Sequence, residues 1–276
     1  MRGLGAQVIE LGRSAHFIPV DTEAVDPEVA RQIKDWVRSE ALDAVASSDG
    51  DSDRPLLADE QGNIIPGDLL GQICAQYLQA EQIVTPISSN SGVLQKGARV
   101  TRTKIGSPFV IAAMEEAGGK VVGYEANGGF LLGFDADTGQ GVLAALPTRD
   151  CVLPIVLPLI AAGTGPLSDR VLAEPKVVTL SARLQEIPTE HSAAFLQRLT
   201  LSPAERQAFL DPLGVAEAGL DLTDGLRILL QGGGVLHLRP SGNAPEFRVY
   251  VEGASRALAE ELQNATLQAI AARLIA

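Results

Sequence analysis

Val29, Ile33, Trp36 and Val37 recur at helical spacing, with Arg31, Lys34, Asp35 and Arg38 on the opposite face, which predicts an amphipathic surface helix. Asp26-Pro27 ahead of it supplies an N-cap and a proline at the first helical position. Before this helix, residues 6–11 read as a strand, and after it residues 42–46 read as a short buried strand running into an acidic loop. Residues 56–58 and 63–65 flank Glu60-Gln61-Gly62 as a hairpin, and a helix follows from about Asp68 to Leu78. Strands at 82–86 and 100–103, a helix at 107–117 and strands at 120–123 and 130–133 come next, then an apolar helix from Asp150. Residues 163–175, rich in glycine and proline, read as a linker. Beyond it come strands at 177–180, 226–230, 235–239 and 247–252 and helices at 189–199, 203–209 and 254–275. Alternation of strand and helix implies α/β units; the pooled strands near the C-terminus imply an α+β unit.

Length and composition narrow the classes. A chain of 276 residues, 46% hydrophobic and 20% charged, suits two or three globular domains. Its longest apolar run, residues 151–162, contains Pro154 and Pro158 and is shorter than the about 20 residues that span a bilayer, so no membrane partner is expected. No signal-peptide pattern opens the sequence, and a cytoplasmic location is the expectation. Cys74 and Cys151, the only cysteines, lack metal-ligand spacing and argue against a disulfide framework or a cysteine zinc site. A net charge of −12 argues against nucleic acid as a partner.

Three polar loops carry the candidate chemistry. Asp49, Asp51 and Asp53 stand at every second position, a crowding of carboxylates that a hard divalent cation would relieve. With Glu60 they also match positions of a calcium-binding EF-hand loop, but Arg54 stands where that loop needs glycine, and the flanks read as strand and hairpin rather than two helices. Arg239-Pro-Ser241-Gly242-Asn243-Ala-Pro-Glu-Phe-Arg248 sets two guanidinium groups around neutral donors and a glycine, a combination suited to phosphate, although a polar hairpin with surface ion pairs has the same composition. Gly123-Tyr124-Glu125-Ala126-Asn127-Gly128-Gly129 offers Glu125 and Asn127 to vicinal hydroxyls, in a sequence that also suits an ordinary glycine-rich turn. His16, His191 and His237 do not cluster and read as packing or surface residues.

Together and in this order, the three loops resemble those of the α-D-phosphohexomutase superfamily, which includes phosphomannomutase and phosphoglucomutase. The stretch DGDSDR is similar to the family's metal loop, usually DGDGDR, with Ser52 at a glycine position. The resemblance implies Asp49, Asp51 and Asp53 as Mg2+ ligands, with Arg54 as a catalytic residue near the phosphoserine. GYEANGG is similar to the sugar loop, with Tyr124 inserted between glycine and glutamate, and implies that Glu125 and Asn127 bind hydroxyls. RPSGNAPEFR resembles the phosphate loop, usually RPSGTEP, and implies Arg239, Ser241, Gly242, Asn243 and Arg248 as phosphate ligands; Asn243 replaces threonine and Ala244 replaces glutamate.

The implied fold is two mixed α/β domains, residues 1–80 and 81–172, followed by a C-terminal α+β domain, residues 173–276. The first is expected to be truncated, with an open sheet edge that favours self-association. The implied substrates are hexose phosphates and hexose 1,6-bisphosphate, interconverted by an intramolecular phosphotransferase. The family's Ser-His-Asn-Pro phosphoserine segment does not occur in the 276 residues, so the expectation is a fragment inactive by itself. Ser88, Ser89 and Ser107 fall where the family places an acid or base, which leaves Lys104 as the candidate for that role. The alternative is a non-catalytic protein that binds sugar phosphates.

Overall fold

The computed structural model describes the chain except Phe17, Pro19, Ala24, Gln140, residues 242–244, Ile275 and Ala276. It divides into two compact units, the first made of Met1–Ser89, Lys96–Thr101 and Gly106–Pro175, the second of Asn90–Gln95, Arg102–Ile105 and Lys176–Ala276.

In the first unit, helix α1 (Pro27–Glu40) starts as its capping sequence predicts, with the Asp26 carboxylate accepting from the Glu28 N–H at 2.7 Å. Its Ile33 and Val37 are buried against Leu56 and Ala58. Strands β1 (Val45–Ser48) and β2 (Pro55–Ala58) pair antiparallel with Ser48 opposite Pro55, so the acidic loop is the turn of a hairpin. The strand expected at 42–46 therefore begins later, and the buried strand beside the loop is β2, which follows it; β1 is half exposed. The second expected hairpin shrinks to one bridge, Ala58 to Ile64, because the Asp59 carboxylate closes the turn on the N–H groups of Gln61 and Asn63 at 2.9 and 2.8 Å. Residues 6–11 form no strand. They have no ladder partner for their backbone, and Val8 and Ile9 lie exposed.

Helix α2 (Gly67–Tyr77) leads to a sheet ordered β4-β3-β5-β6-β9. In it, β3 (Gln82–Pro86) and β5 (Val121–Tyr124) run parallel; β4 (Arg99–Thr103) and α3 (Ser107–Ala117) lie between them in sequence. Antiparallel to β5 runs β6 (Phe130–Leu132), with Tyr124 opposite Phe130, which makes the glycine-rich stretch the tip of a hairpin. A small ribbon, β7 (Ala136–Asp137) with β8 (Val142–Leu143), precedes β9 (Leu146–Asp150), which pairs with β6. The polar composition of β9 hid it from the apolar pattern. Helix α4 (Leu153–Ala162) is followed by α5 (Leu167–Leu172) inside the stretch that reads as a linker. Leu167 packs with Leu57, Ile65, Leu70 and Ile155, so burial, which glycine and proline content does not report, decides the structure there.

Two glycines of α2 are required by close approach. A Cβ on Gly67 would lie 2.3 Å from the Gly128 nitrogen and 2.4 Å from the Ala126 oxygen, and one on Gly71 would meet the Tyr124 ring at 2.3 Å. Helix and hairpin thus dock backbone to backbone, and Tyr124 is a fully buried core residue.

In the second unit, five strands form an antiparallel sheet ordered β10-β14-β13-β12-β11. They are β10 (Val178–Gln185), β11 (Glu217–Asp221), β12 (Leu226–Leu230), β13 (Val235–Pro240) and β14 (Glu246–Gly253). Helices α6 (Thr189–Leu201), α7 (Pro203–Leu210) and α8 (Arg256–Leu274) bring Phe195, Leu199, Phe209 and Ile270 into one core with Leu226, Ile228, Leu238, Phe247, Val249 and Val251. By strand alternation, Arg183, Arg227, His237, Arg239, Arg248 and Tyr250 share the opposite face. No described helix is long and apolar enough to cross a membrane.

Gly67→Ala is expected to cost about 1–3 kcal/mol, because rigid backbone cannot yield to the new methyl; a denaturant midpoint equal to that of the parent would refute the docking. Among the described residues the outer edge of β1 carries no third strand. We propose that it pairs with a second copy, so that light scattering shows mass rising with concentration; a constant monomer mass would rule this out.

Candidate functional site

The acidic loop is shaped by its own first carboxylate. Asp49 Oδ1 accepts from the N–H groups of Asp53 at 3.2 Å and Arg54 at 3.1 Å, while the Asp49 N–H donates to the Arg54 carbonyl at 3.1 Å. Ser52 takes φ +61°, in the left-handed region, which explains why a glycine suits that position. Carboxylate oxygens of Asp49, Asp51 and Asp53 come within 4.8 Å of one another. Oxygens around an octahedral Mg2+ lie about 3–4 Å apart, so the three need to close in only slightly to share one ion. Asp53 Oδ1 is buried without a hydrogen bond, with Arg54 Nε 3.7 Å away. Burial raises the Asp53 carboxyl above the usual range, Asp51 and Asp49 add to this, and Arg149 and Arg54 oppose it. A buried, unbonded oxygen in a cluster already short of positive charge fits a divalent cation. Glu60 instead binds the Ser168 N–H and hydroxyl, so it is not available to complete a calcium loop.

Arg149, on β9, was not legible as a site residue. Its guanidinium meets Asp53 Oδ2 at 2.5 Å and Glu125 Oε2 at 3.7 Å, tying the acidic loop to the hairpin tip. The hairpin tip is held by Asn127 Oδ1, which accepts from the Gly129 N–H at 3.0 Å, and by Thr22, whose hydroxyl donates to the Asn127 carbonyl at 2.9 Å. Glu125 is 5% exposed and its Oε2 lacks a hydrogen bond. Burial pushes its carboxyl up, against the pull of Arg149 and Arg54. An acceptor in this state suits a hydroxyl donor.

In the second unit, Asp224 organises the arginine face. Its carboxylate accepts from Arg239 Nε at 2.9 Å and from the Ile105 N–H at 3.0 Å, and its carbonyl lies 2.7 Å from His237 Nε2. His237 stacks on Tyr250, and burial lowers its pKa to about 4, so it is the packing histidine that the sequence suggests. Arg248 sits directly opposite Arg239 on the neighbouring strand, and Ser241 is buried with its N–H donating to the Glu246 carbonyl at 2.8 Å. Gly242 and Asn243 lie outside the described residues. Lys104 is exposed, and Ser89 is buried and accepts from the Thr85 hydroxyl at 2.6 Å. Asp224 lies in the stretch Thr223-Asp224-Gly225, whose composition signals a turn and nothing about an arginine partner.

Two family models match the chain: phosphoglucomutase/phosphomannomutase α/β/α domain III at residues 66–164, and the C-terminal domain of the same family at residues 199–269. A phosphomannomutase of Sinorhizobium fredii is 48% identical over 269 residues, covering 95% of this chain and 56% of that protein. One of Salmonella muenchen is 41% identical over 279 residues, covering 98% and 58%. The chain thus spans a little over half the length of these relatives. A solved phosphoglucomutase/phosphomannomutase family protein from Burkholderia thailandensis shares the fold, with a TM-score of 0.68 at 19% identity over 92% of this chain and 51% of that one. The chain belongs to the α-D-phosphohexomutase superfamily.

Arg149→Ala leaves two carboxylates without their shared counter-charge. The side chain is 25% exposed, so the expected loss is about 1–3 kcal/mol, below the range for fully buried pairs; an unchanged melting temperature would exclude the bridging role. Because the Glu125 carboxyl is raised above the ordinary 4.5, its stability contribution is full below that value and lost as pH rises through the folded one. Glu125→Gln should therefore be more stabilising near pH 7 than at about pH 4. Equal effects at both pH values, measured by chemical denaturation, would contradict this.

Proposed function

We propose that the chain carries the metal-binding, sugar-binding and phosphate-binding parts of a phosphohexomutase that interconverts hexose 1-phosphates and 6-phosphates through a hexose 1,6-bisphosphate. The observation that carries this reading is that Asp53 and Glu125, whose carboxylates share Arg149 within one unit, each keep one buried oxygen without a hydrogen bond. Family membership and the phosphomannomutase names of the two relatives support it.

In this reading Asp49, Asp51 and Asp53 hold Mg2+, which when bound offsets charge on a transferring phosphoryl group. Arg54, beside Asp49 and Asp53, places a second positive charge at the same point. Glu125 accepts from a sugar hydroxyl and Asn127 holds the turn that presents it. Arg239, oriented by Asp224, and Arg248 bind the phosphate that does not react, with Ser241, Gly242 and Asn243 as neutral partners. Lys104 is the proposed proton carrier. The sequence contains no Ser-His-Asn-Pro stretch, so the phosphoryl donor in this reading is not one of its 276 residues.

The test is calorimetric titration of the chain with glucose 1,6-bisphosphate in Mg2+, together with a mutase assay. The expected result is binding without turnover, weakened at least about 10-fold in Arg248→Ala and made independent of Mg2+ in Asp51→Ala. Turnover abolished by Asp51→Ala would mean that a nucleophile within this chain replaces the serine, and absence of binding would reject the reading.

A further inference from the structure

Three arginines lie in one row across the second unit's sheet. Arg183 on β10 faces Arg248 on β14, and Arg248 faces Arg239 on β13, each pair in direct register on the same side. Like charges directly opposite one another on adjacent strands repel, so a row of three is costly unless an anion sits over it. The structure contains a partial answer in Glu246. One of its oxygens lies 3.4 Å from Arg183 Nη1 and the other 3.7 Å from Arg248 Nη2, so a single carboxylate is shared by two guanidinium groups. Arg239 has its own carboxylate in Asp224. Among the described residues, Arg183 and Arg248 thus share one carboxylate, at the outer end of the row. The side chains there are also the least confined, with Arg183 60% and Arg248 38% exposed against 20% for Arg239.

We propose that Arg183 is a phosphate-binding residue, the third guanidinium of the site formed by Arg239 and Arg248, and that the Glu246 carboxylate occupies the phosphate's place until phosphate displaces it. This rests on the reading of Arg239 and Arg248 as phosphate ligands and extends it to Arg183, which lies outside the loop motif, and to Glu246, which lies within it. Two contacts of 3.4 and 3.7 Å to exposed or half-exposed side chains are weak, so displacement is cheap. A phosphate offers more oxygens and more charge than the carboxylate it replaces, and guanidinium groups bind it bidentately. Cross-strand neighbours at about 5 Å spacing set the three arginine stems about 10 Å end to end, within reach of one anion. Arg183 lies on the edge strand with its side chain in solvent, so its replacement leaves the core intact.

The test is calorimetric titration of the full chain in Mg2+ with glucose 1,6-bisphosphate, comparing the parent with Arg183→Gln, Arg183→Lys, Glu246→Gln and Arg248→Gln, each checked for an unchanged thermal melt. Arg183→Gln is expected to weaken binding about 5-fold, Arg183→Lys to restore part of it, and Glu246→Gln to tighten it about 3-fold. Parental affinity in Arg183→Gln, with Arg248→Gln weakened, would overturn the inference and leave the phosphate reading standing. Parental affinity in Arg248→Gln as well, or no binding by the parent chain, would overturn both.

Discussion

Four carboxylates, Asp49, Asp51, Asp53 and Glu125, are crowded into one part of the first unit, and much of the surrounding structure answers the resulting charge. Asp49 is neutralised in part by backbone N–H groups of its own loop, Asp53 and Glu125 by Arg149, and Arg54 stands by at longer distance. Two buried oxygens of this group, one of Asp53 and one of Glu125, are left without hydrogen bonds. Buried acceptors left in this state cost stability, and a cation and a hydroxyl are the groups that would recover it.

The second unit poses the opposite problem with the same economy. Its sheet uses one face for an apolar core and the other for arginines, and each arginine near the candidate anion site is steadied by an acidic partner, Asp224 or Glu246. Asp224 also receives the Ile105 N–H and fixes His237 through its carbonyl, so Arg239 is held from behind by a connected set of hydrogen bonds. The rigid and the loosely held arginines differ in that support rather than in sequence.

Docking of the hairpin tip on α2 depends on volume. Gly67 and Gly71 remove the side chains that would separate the helix from the hairpin, and Tyr124 fills the space beside Gly71. The residue that departs from the family's loop pattern is thus a packing residue, and Glu125 begins the turn directly after it.

The sequence by itself determined the helices with strong periodicity and caps, most strands with apolar runs, and the three polar loops. Those signals are local: a 3.6-residue period, Asp26-Pro27, or carboxylates at alternate positions carry their meaning wherever they occur. Tertiary structure alone decided the rest. A strand at residues 6–11 failed because no neighbour completes its ladder, β9 formed despite its polarity because β6 was there to pair with it, and residues 163–175 became partly helical because Leu167 found a core. Arg149, Thr22, Asp224 and the Arg183–Arg248–Arg239 row belong to the same class. Their partners lie on other strands or far along the chain, and only pairing and packing bring such groups to within a few ångströms.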